Sequence, residues 1–330
     1  MFWLLVPLAL GIALILVCAL GTRMPGSSHA GPLPALTAEE QATSARLKDH
    51  VYMLAQTIGE RNHVKYEALV RAAQYVEDQF RDLGFSPAVQ DYLIKGRSYS
   101  NISAELPGTT FPERLIVVGG HYDSAVGTPG ADDNASAVAG VLETARLLKD
   151  RPLECTVRFA AFTNEEPPFF MTKNMGSYVY AKQCRRNNEH IEAMLSYEML
   201  GYYRDEPGTQ SLPLIVRPFY PSRGDFIAFV GNTGSRKLVR QLVASFRGHT
   251  AFPSQGAVLP SLVRGVSLSD HRSFWVNGYP AAMVTDTAFK RNRNYHTPGD
   301  TPDTLDYDRM ARVVHGMARV VADLAGHETT

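Results

Sequence analysis

Cysteine is scarce in this sequence, and neither sign of charge is in excess. Cys18, Cys155 and Cys184 are the only three cysteines in 330 residues, too few for a disulfide framework, so folding must rest on an apolar core. A chain of this length with 45% hydrophobic residues can bury such a core without staples. Lys plus Arg and Asp plus Glu number 33 each, which leaves no net field to gather nucleic acid; no nucleic-acid partner is expected. The G-x-S-x-G turn of serine hydrolases is missing, and no cysteine stands in the surroundings of a nucleophile, so both of those hydrolase classes are set aside. No internal repeat occurs.

A further absence is local. Residues 2–20, FWLLVPLALGIALILVCAL, carry no charge, and as a helix the run would reach roughly 28 Å, close to the hydrocarbon thickness of a bilayer. The Pro/Gly/Ser-rich TRMPGSSHAGPLP follows. The expected organisation is a transmembrane anchor or signal peptide over 1–22, a linker over 23–36 and one domain over 37–330. A basic n-region is lacking, and the small-residue cleavage signal at Ser28-His29-Ala30 lies far beyond the run, which favours an uncleaved anchor. Arg23 on its C-terminal flank favours a cytoplasmic domain, but a single charge is a small bias. The expected location is membrane-anchored with the domain extracytoplasmic, periplasmic or extracellular, or secreted if the segment is cleaved. Cys18 falls in the apolar segment, leaving Cys155 and Cys184 either to pair in an oxidising compartment or to stay as buried thiols.

Beyond the linker, apolar periodicity predicts helices over 37–59 and 65–83, the second from Leu69, Ala72, Ala73, Val76 and Phe80. Thr37 and Glu40 offer a capping box. LIVV at 115–118, closed by Gly119-Gly120, reads as a buried parallel strand. A helix over 134–149 and a strand over 155–162 follow, then a helix at 175–184, strands at 193–197 and 226–230, a helix at 235–246, a strand at 281–285 and a helix at 304–324. The alternation favours an α/β layered fold. Residues 201–224, dense in Pro, Gly and Tyr, receive no regular structure and read as an insertion or rim loop.

Several apolar runs end in chemistry. HYDS follows LIVVGG, so His121 and Asp123 project past a strand's C-terminal end, where open α/β sheets place ligands; the carboxylate two residues on suits a partner that fixes the imidazole tautomer. By itself a lone His there is more often a bonded core residue. Asp133 stands in GADDNAS, where Asn134 or Ser136 can cap the next helix. Capping does not require three carboxylate or amide groups in a row beside a His, whereas a hard or borderline cation does. In FTNEEPP, Glu165 and Glu166 are neighbours that repel each other. The bland reading is a solvated edge, yet strand alternation sends the two to opposite sides and permits separate roles. Glu198 closes AMLSY, and His296 follows AAMVTD through a short polar loop.

In that order, HYDS, GADDNAS, NEEPPFF, YEMLGYY, SDHRSFW and NYHTPGDTPDTLDY resemble peptidase family M28, the zinc aminopeptidases, over residues 47–324. The resemblance implies a three-layer α/β sandwich with a central mixed, largely parallel sheet and helices on both faces, of the phosphorylase/hydrolase-like kind. It implies a co-catalytic pair of zinc ions, for which Co or Mn can substitute, with Asp133 bridging. His121 and Glu198 would complete one site, and Glu166 and His296 the other. Glu165 matches the general base, Tyr295 a tyrosine that helps stabilise the tetrahedral intermediate, and a cis peptide is implied after Asp133. Asp123 would stand behind His121. Two departures are Glu198, where many relatives carry Asp, and Ala137, where many carry Gly; the longer carboxylate changes how the metal on that side is held.

The expected function is therefore hydrolysis of N-terminal residues from peptides. A single-zinc glutaminyl cyclase on a related fold is the nearest alternative, and a non-catalytic peptidase-like membrane ectodomain the second; no ligand or base is missing, which speaks against the latter. Residues 201–224 and SDHRSFW are expected to select the substrate, with Asp270 and His271 either touching it or serving as a helix cap and a packed His. Side-chain preference, the choice between aminopeptidase, dipeptidase and carboxypeptidase, and oligomeric state have no signature in the sequence.

Overall fold

Period-two alternation in the strands decides which helices cover which face. The computed structural model describes residues 19–212 and 216–326. Eight strands form one mixed sheet in the order β1-β2-β4-β3-β5-β8-β6-β7: β1 Ala88–Ile94, β2 Arg97–Leu106, β3 Phe111–His121, β4 Cys155–Phe162, β5 His190–Glu198, β6 Ile227–Gly231, β7 Ser254–Val258 and β8 Ala281–Thr285. The central β4, β3, β5 and β8 run parallel, as do β6 and β7, while β1/β2, β2/β4 and β6/β8 are antiparallel. In β3, Ile116 and Val118 face a core built with α1 (Ala38–Tyr52), α2 (Tyr66–Asp82), α3 (Ala137–Leu148), α5 (Arg236–His249) and α7 (Tyr307–Gly326). Leu115 and Val117 face the other way, against α4 (Gly176–Arg186) and α6 (His271–Val276). The result is the three-layer α/β sandwich that the resemblance implies.

Local signals account for most boundaries. The Thr37–Glu40 capping box opens α1: the Glu40 amide donates to Thr37 Oγ1 at 3.1 Å and the Thr37 amide to Glu40 Oε2 at 2.7 Å. α2 buries Leu69, Ala72, Ala73, Val76 and Phe80 on one stripe. α3 is buried almost all round between the sheet and other helices, which suits its Ala, Gly and Val content. Neither Asn134 nor Ser136 caps it: Ser136 Oγ instead donates to the Asp132 carbonyl at 2.7 Å, and Asn134 is turned towards β5. The capping reading is thus corrected: Asn134 bonds the Tyr197 carbonyl and Ser136 Oγ accepts the Leu200 amide at 2.9 Å, tertiary partners that displace the local cap.

Three elements lacked a legible pattern. The β1–β2 hairpin turns on Lys95-Gly96, both at positive φ, as a two-residue primed turn requires; as an edge strand β1 leaves Val89 and Leu93 exposed. β7, SQGAV, has too few apolar residues to stand out, and α6 is only six residues long.

Residues 23–28 lie docked on the sheet's far edge, and Pro34 is tied to Arg312 of α7. Arg247 Nη1 donates to the carbonyls of Pro25 (2.8 Å) and Gly26 (3.0 Å), the Ser254 amide to Ser28 Oγ (2.9 Å), and Arg240 Nη1 to Arg23 O (2.7 Å). Among the described residues no helix is long and apolar enough to cross a membrane; residues 2–18 of the expected anchor, with Cys18, lie outside them. Cys155 and Cys184 are buried and free.

Candidate metal centre

Four adjacent parallel strands, β4, β3, β5 and β8, finish at one edge of the sheet, so whatever follows their last apolar residues is brought together there. His121 ends β3 and Glu198 ends β5. Glu165 and Glu166 follow β4 through Asn164, which adopts a left-handed φ of 58°, and His296 comes from the turn after β8. Strand order changes direction at β3, whose neighbours β4 and β5 lie on opposite sides; such a switch point leaves a crevice. Asp133 belongs to a tight turn, Ala131–Ser136, that leads into α3, and the Asp133–Asn134 peptide is cis.

Two groups of donor atoms result, His121 with Asp133 and Glu198, and Asp133 with Glu166 and His296, the atoms of each within 4.8 Å of one another. His121 Nε2 is 3.3 Å from Asp133 Oδ1 and 3.5 Å from Glu198 Oε2. His296 Nε2 is 3.1 Å from Asp133 Oδ2 and 3.1 Å from Glu166 Oε1. Asp133 therefore turns one carboxylate oxygen to each group. Glu165 belongs to neither, with its Oε2 3.8 Å from His121 Nε2. His121 Nδ1 faces the Asp123 carbonyl at 3.1 Å. A carbonyl only accepts, so the proton sits on Nδ1 and the Nε2 lone pair is aimed at the cluster.

Carboxylates packed this densely hold protons unless cations neutralise them. Burial, and then the Asp133 charge, pushes Glu166 up to about 7. Glu165 is raised well above the usual carboxylate range by burial, with Glu198 adding to it against His121. Burial alone would lower His296, but Asp133 and Glu166 lift it to about 10. His121 is likewise raised despite its burial, by Glu165 and Glu198. Asp133 moves the other way: burial opposes its charge, and the two histidines overcome that. His121 Nε2 and Glu166 Oε1 are buried and make no well-directed hydrogen bond among the described residues, although charged neighbours lie 3.3 and 3.1 Å away. A divalent cation in each donor group would satisfy both atoms. Imidazole and carboxylate together suit zinc; the residues fit a metal pair.

The supporting layer is where sequence reasoning fell short. Asp123 accepts the backbone N–H groups of Glu165 and Glu166, both at 3.1 Å, one on each carboxylate oxygen. Asp300, which no motif singled out, does the same for Asp132 (2.9 Å) and Asp133 (3.1 Å). Ser269 Oγ donates to Glu198 Oε2 at 2.6 Å. Asn134 Nδ2 reaches the same oxygen at 3.3 Å, while its Oδ1 accepts the Met199 amide at 2.9 Å. Asp132 accepts from the Gly201 amide and Asn292 Nδ2. A carboxylate in a Pro-Gly-Asp turn was the one available signal for Asp300, and turn chemistry accounts for it equally well.

Beside Glu198 lies an apolar cavity of about 350 Å³, walled by Ala228, Val230, Met283 and Leu259 and closed by Tyr295. Leu212, Val216 and Tyr220 of the 201–224 stretch line it, as does 263–268, whereas 269–275 does not. SDHRSFW acts behind the site instead: Asp270 is fully buried, and His271 Nε2 meets the Val266 carbonyl at 2.7 Å with its ring edge-on to Trp275. The Tyr295 ring stacks on His296 with centroids 3.8 Å apart. Burial, then Asp133 and Glu166, raises its phenol, which stays a proton donor. A larger, shallower groove of about 880 Å³ along β1, β2 and α4 holds none of these residues.

Comparison with known proteins bears on the family and the fold. The sequence model of peptidase family M28 matches residues 101–321. The uncharacterized protein YfbL of Escherichia coli (strain K12) is 41% identical over 285 residues, 84% of this chain and 87% of that one. The probable aminopeptidase YDR415C of Saccharomyces cerevisiae is 28% identical over 242 residues; the match covers 69% of this chain and 58% of the yeast protein. Among solved structures, the zinc aminopeptidase BSAP from Bacillus subtilis superposes with a TM-score of 0.70 at 15% identity, covering 87% of this chain and 96% of that one, which shows a shared fold.

Proposed function

The chain belongs to peptidase family M28, and on that premise we propose that it is a zinc-dependent aminopeptidase that holds two ions and removes apolar residues from free peptide N-termini. The observation that carries this reading is the division of the Asp133 carboxylate between two donor groups, each completed by one His and one Glu. His121, Asp133 and Glu198 would hold one ion, and Asp133, Glu166 and His296 the other. Bound there, the pair supplies an acidified water and a Lewis acid for the scissile carbonyl.

Glu165, outside both donor groups yet beside His121, would accept a proton from the attacking water and pass it to the leaving amine. Tyr295, held by its stack on His296, donates its phenolic hydrogen to the developing oxyanion. The apolar cavity beside Glu198 receives the side chain of the N-terminal residue and excludes water from it. The uncharged 2–20 run supports a tether that keeps the domain at a membrane; carbonate extraction tests the tether, and protease protection of cell fractions tests an extracytoplasmic placement of the domain.

A panel of free-amine and N-blocked peptides, assayed with added zinc and with metal counted per chain, tests the reading. Two ions and cleavage of free amines alone are expected. One ion with cyclisation of N-terminal glutamine would instead identify a cyclase, and inactivity of the metal-loaded protein a binding ectodomain.

A further inference from the structure

Arg61 lies outside the 101–321 stretch that matches the family model, yet among the described residues it is the bulkiest fully buried side chain, with 0% exposure. It follows the wide π-helical turn Met53–Ile58 that continues α1. Its guanidinium meets carbonyl oxygens rather than a carboxylate. Nε donates to Tyr122 O (2.6 Å), Nη1 to Pro129 O (2.6 Å) and more weakly to Leu54 O (3.3 Å), and Nη2 to Gly130 O (2.8 Å). The backbone is tied as well: the Arg61 amide donates to Ser124 Oγ (3.1 Å), and the Ser124 amide to Arg61 O (2.9 Å).

Those partners are not scattered. Tyr122 stands between His121 and Asp123, and Gly130 opens the turn that carries Asp133, whose Ala135 amide returns to the Gly130 carbonyl. One rigid, planar group thus spans the two loops that present His121 Nε2 and Asp133 Oδ1. Asp123 and Asp300 then clamp the amides of Glu165, Glu166, Asp132 and Asp133. A buried cation without a direct anionic partner costs several kcal/mol. Here it lies in the field of Asp123, Asp300, Asp133 and Glu166, and a plain core contact would need neither the charge nor the fork. Lys could keep the charge but not the several fixed directions of donation.

We propose that Arg61 is a positioning residue of the metal centre, its guanidinium holding the His121 loop and the Asp133 turn at the spacing that zinc needs between them. This rests on the two-zinc reading above. Two effects of the cation oppose each other: positioning favours metal, whereas its positive charge disfavours it.

The test is zinc affinity of the chelator-stripped full-length protein, measured by competition with a chromophoric chelator, for wild type, Arg61→Lys and Arg61→Met. Circular dichroism and a melting curve confirm the fold in each. Positioning predicts that both folded variants bind zinc about 10–100-fold more weakly, show altered cobalt d–d absorption, and regain turnover in excess zinc. Zinc affinity in Arg61→Lys equal to wild type, or tighter binding by Arg61→Met, overturns the proposal. Should both fail to fold, Ser124→Ala removes the hydroxyl that anchors the Arg61 backbone while leaving the guanidinium; about a few-fold loss is expected by the same principle, and unchanged affinity refutes it. If wild type itself takes up no zinc, the two-zinc reading fails rather than the role of Arg61.

Discussion

The two donor groups share Asp133 and differ in how the chain delivers them. His121 and Glu198 are terminal residues of adjacent parallel strands, both buried, and each is held by a further contact, the Asp123 carbonyl for His121 and Ser269 for Glu198. Glu166 and His296 come from turns. The His296 side chain is 33% exposed, its backbone is left-handed at φ 55°, and its ring leans on Tyr295. Similar ligand chemistry thus rests on a sheet in one half and on loops in the other. Strand-borne groups are the more rigidly placed, so the half with Glu198 is expected to retain its ion and the half with His296 to exchange it.

The largest expected effect falls on the residue that belongs to neither half. Glu165→Gln should lower turnover about 10²–10⁴-fold with both ions retained, as kinetics and metal analysis on one sample will report; near-normal turnover would return Glu165 to a ligand or bystander role. Next, filling the cavity beside the strand-borne half with Ala228→Phe should cut the preference for N-terminal Leu over Ala by about 10–200-fold in kcat/KM, without changing metal content. The comparison itself is tested by His296→Ala and by timed chelation. The variant should keep one ion, and the chelator should strip the wild type in two phases. Loss of both ions together would erase the distinction between the halves.

The smallest effect probes the support behind Glu198, where Ser269 is followed by buried Asp270 and His271. Burial lowers His271 to about 4, below its ordinary 6.5. Between those values the unfolded chain takes up a proton that the folded one refuses, so this group removes stability as pH falls from about 6.5 to 4. Asp270, raised by burial to about 7, acts in the opposite sense over much of that range and masks the effect. His271→Gln should therefore melt closer to wild type at pH 5 than at pH 7.5. The relative gain is about 2 kcal/mol, or a few degrees in Tm. An equal difference at both pH values would mean that His271 carries its proton inside the fold.

Legibility followed from periodicity. His121, Glu165, Glu166 and Glu198 could be picked out because apolar runs of strand length end beside them, His296 because it follows such a run through a polar loop, and Asp133 because acid and amide residues stand in a row ahead of a helix. The α/β class came from the same alternation. β1 and β7 escaped as edge strands, which carry no continuous apolar run, and β2, though paired on both sides, escaped because RSYSNISAEL intersperses polar residues throughout. Asp300, Asn134, Ser269 and Arg61 escaped for another reason: they act by bonding backbone or side chains far away in sequence, such as Ser269 to Glu198 or Arg61 to Gly130. The 201–224 stretch showed only a lack of pattern, and its role as a cavity wall rests on Leu212, Val216 and Tyr220 meeting strands β6 and β7.

By itself, the sequence determined the layers, the strands that end together and the side chains delivered to that edge, because local apolar period and parallel pairing suffice for those. The tertiary structure supplied the distances behind what the resemblance only implied, one Asp133 oxygen turned to each histidine and Glu165 outside both groups, and it alone decided that a buried Arg61 spans the loops between them. Those are matters of distance and direction between residues far apart in the chain, and only the packed layers bring them within bonding reach.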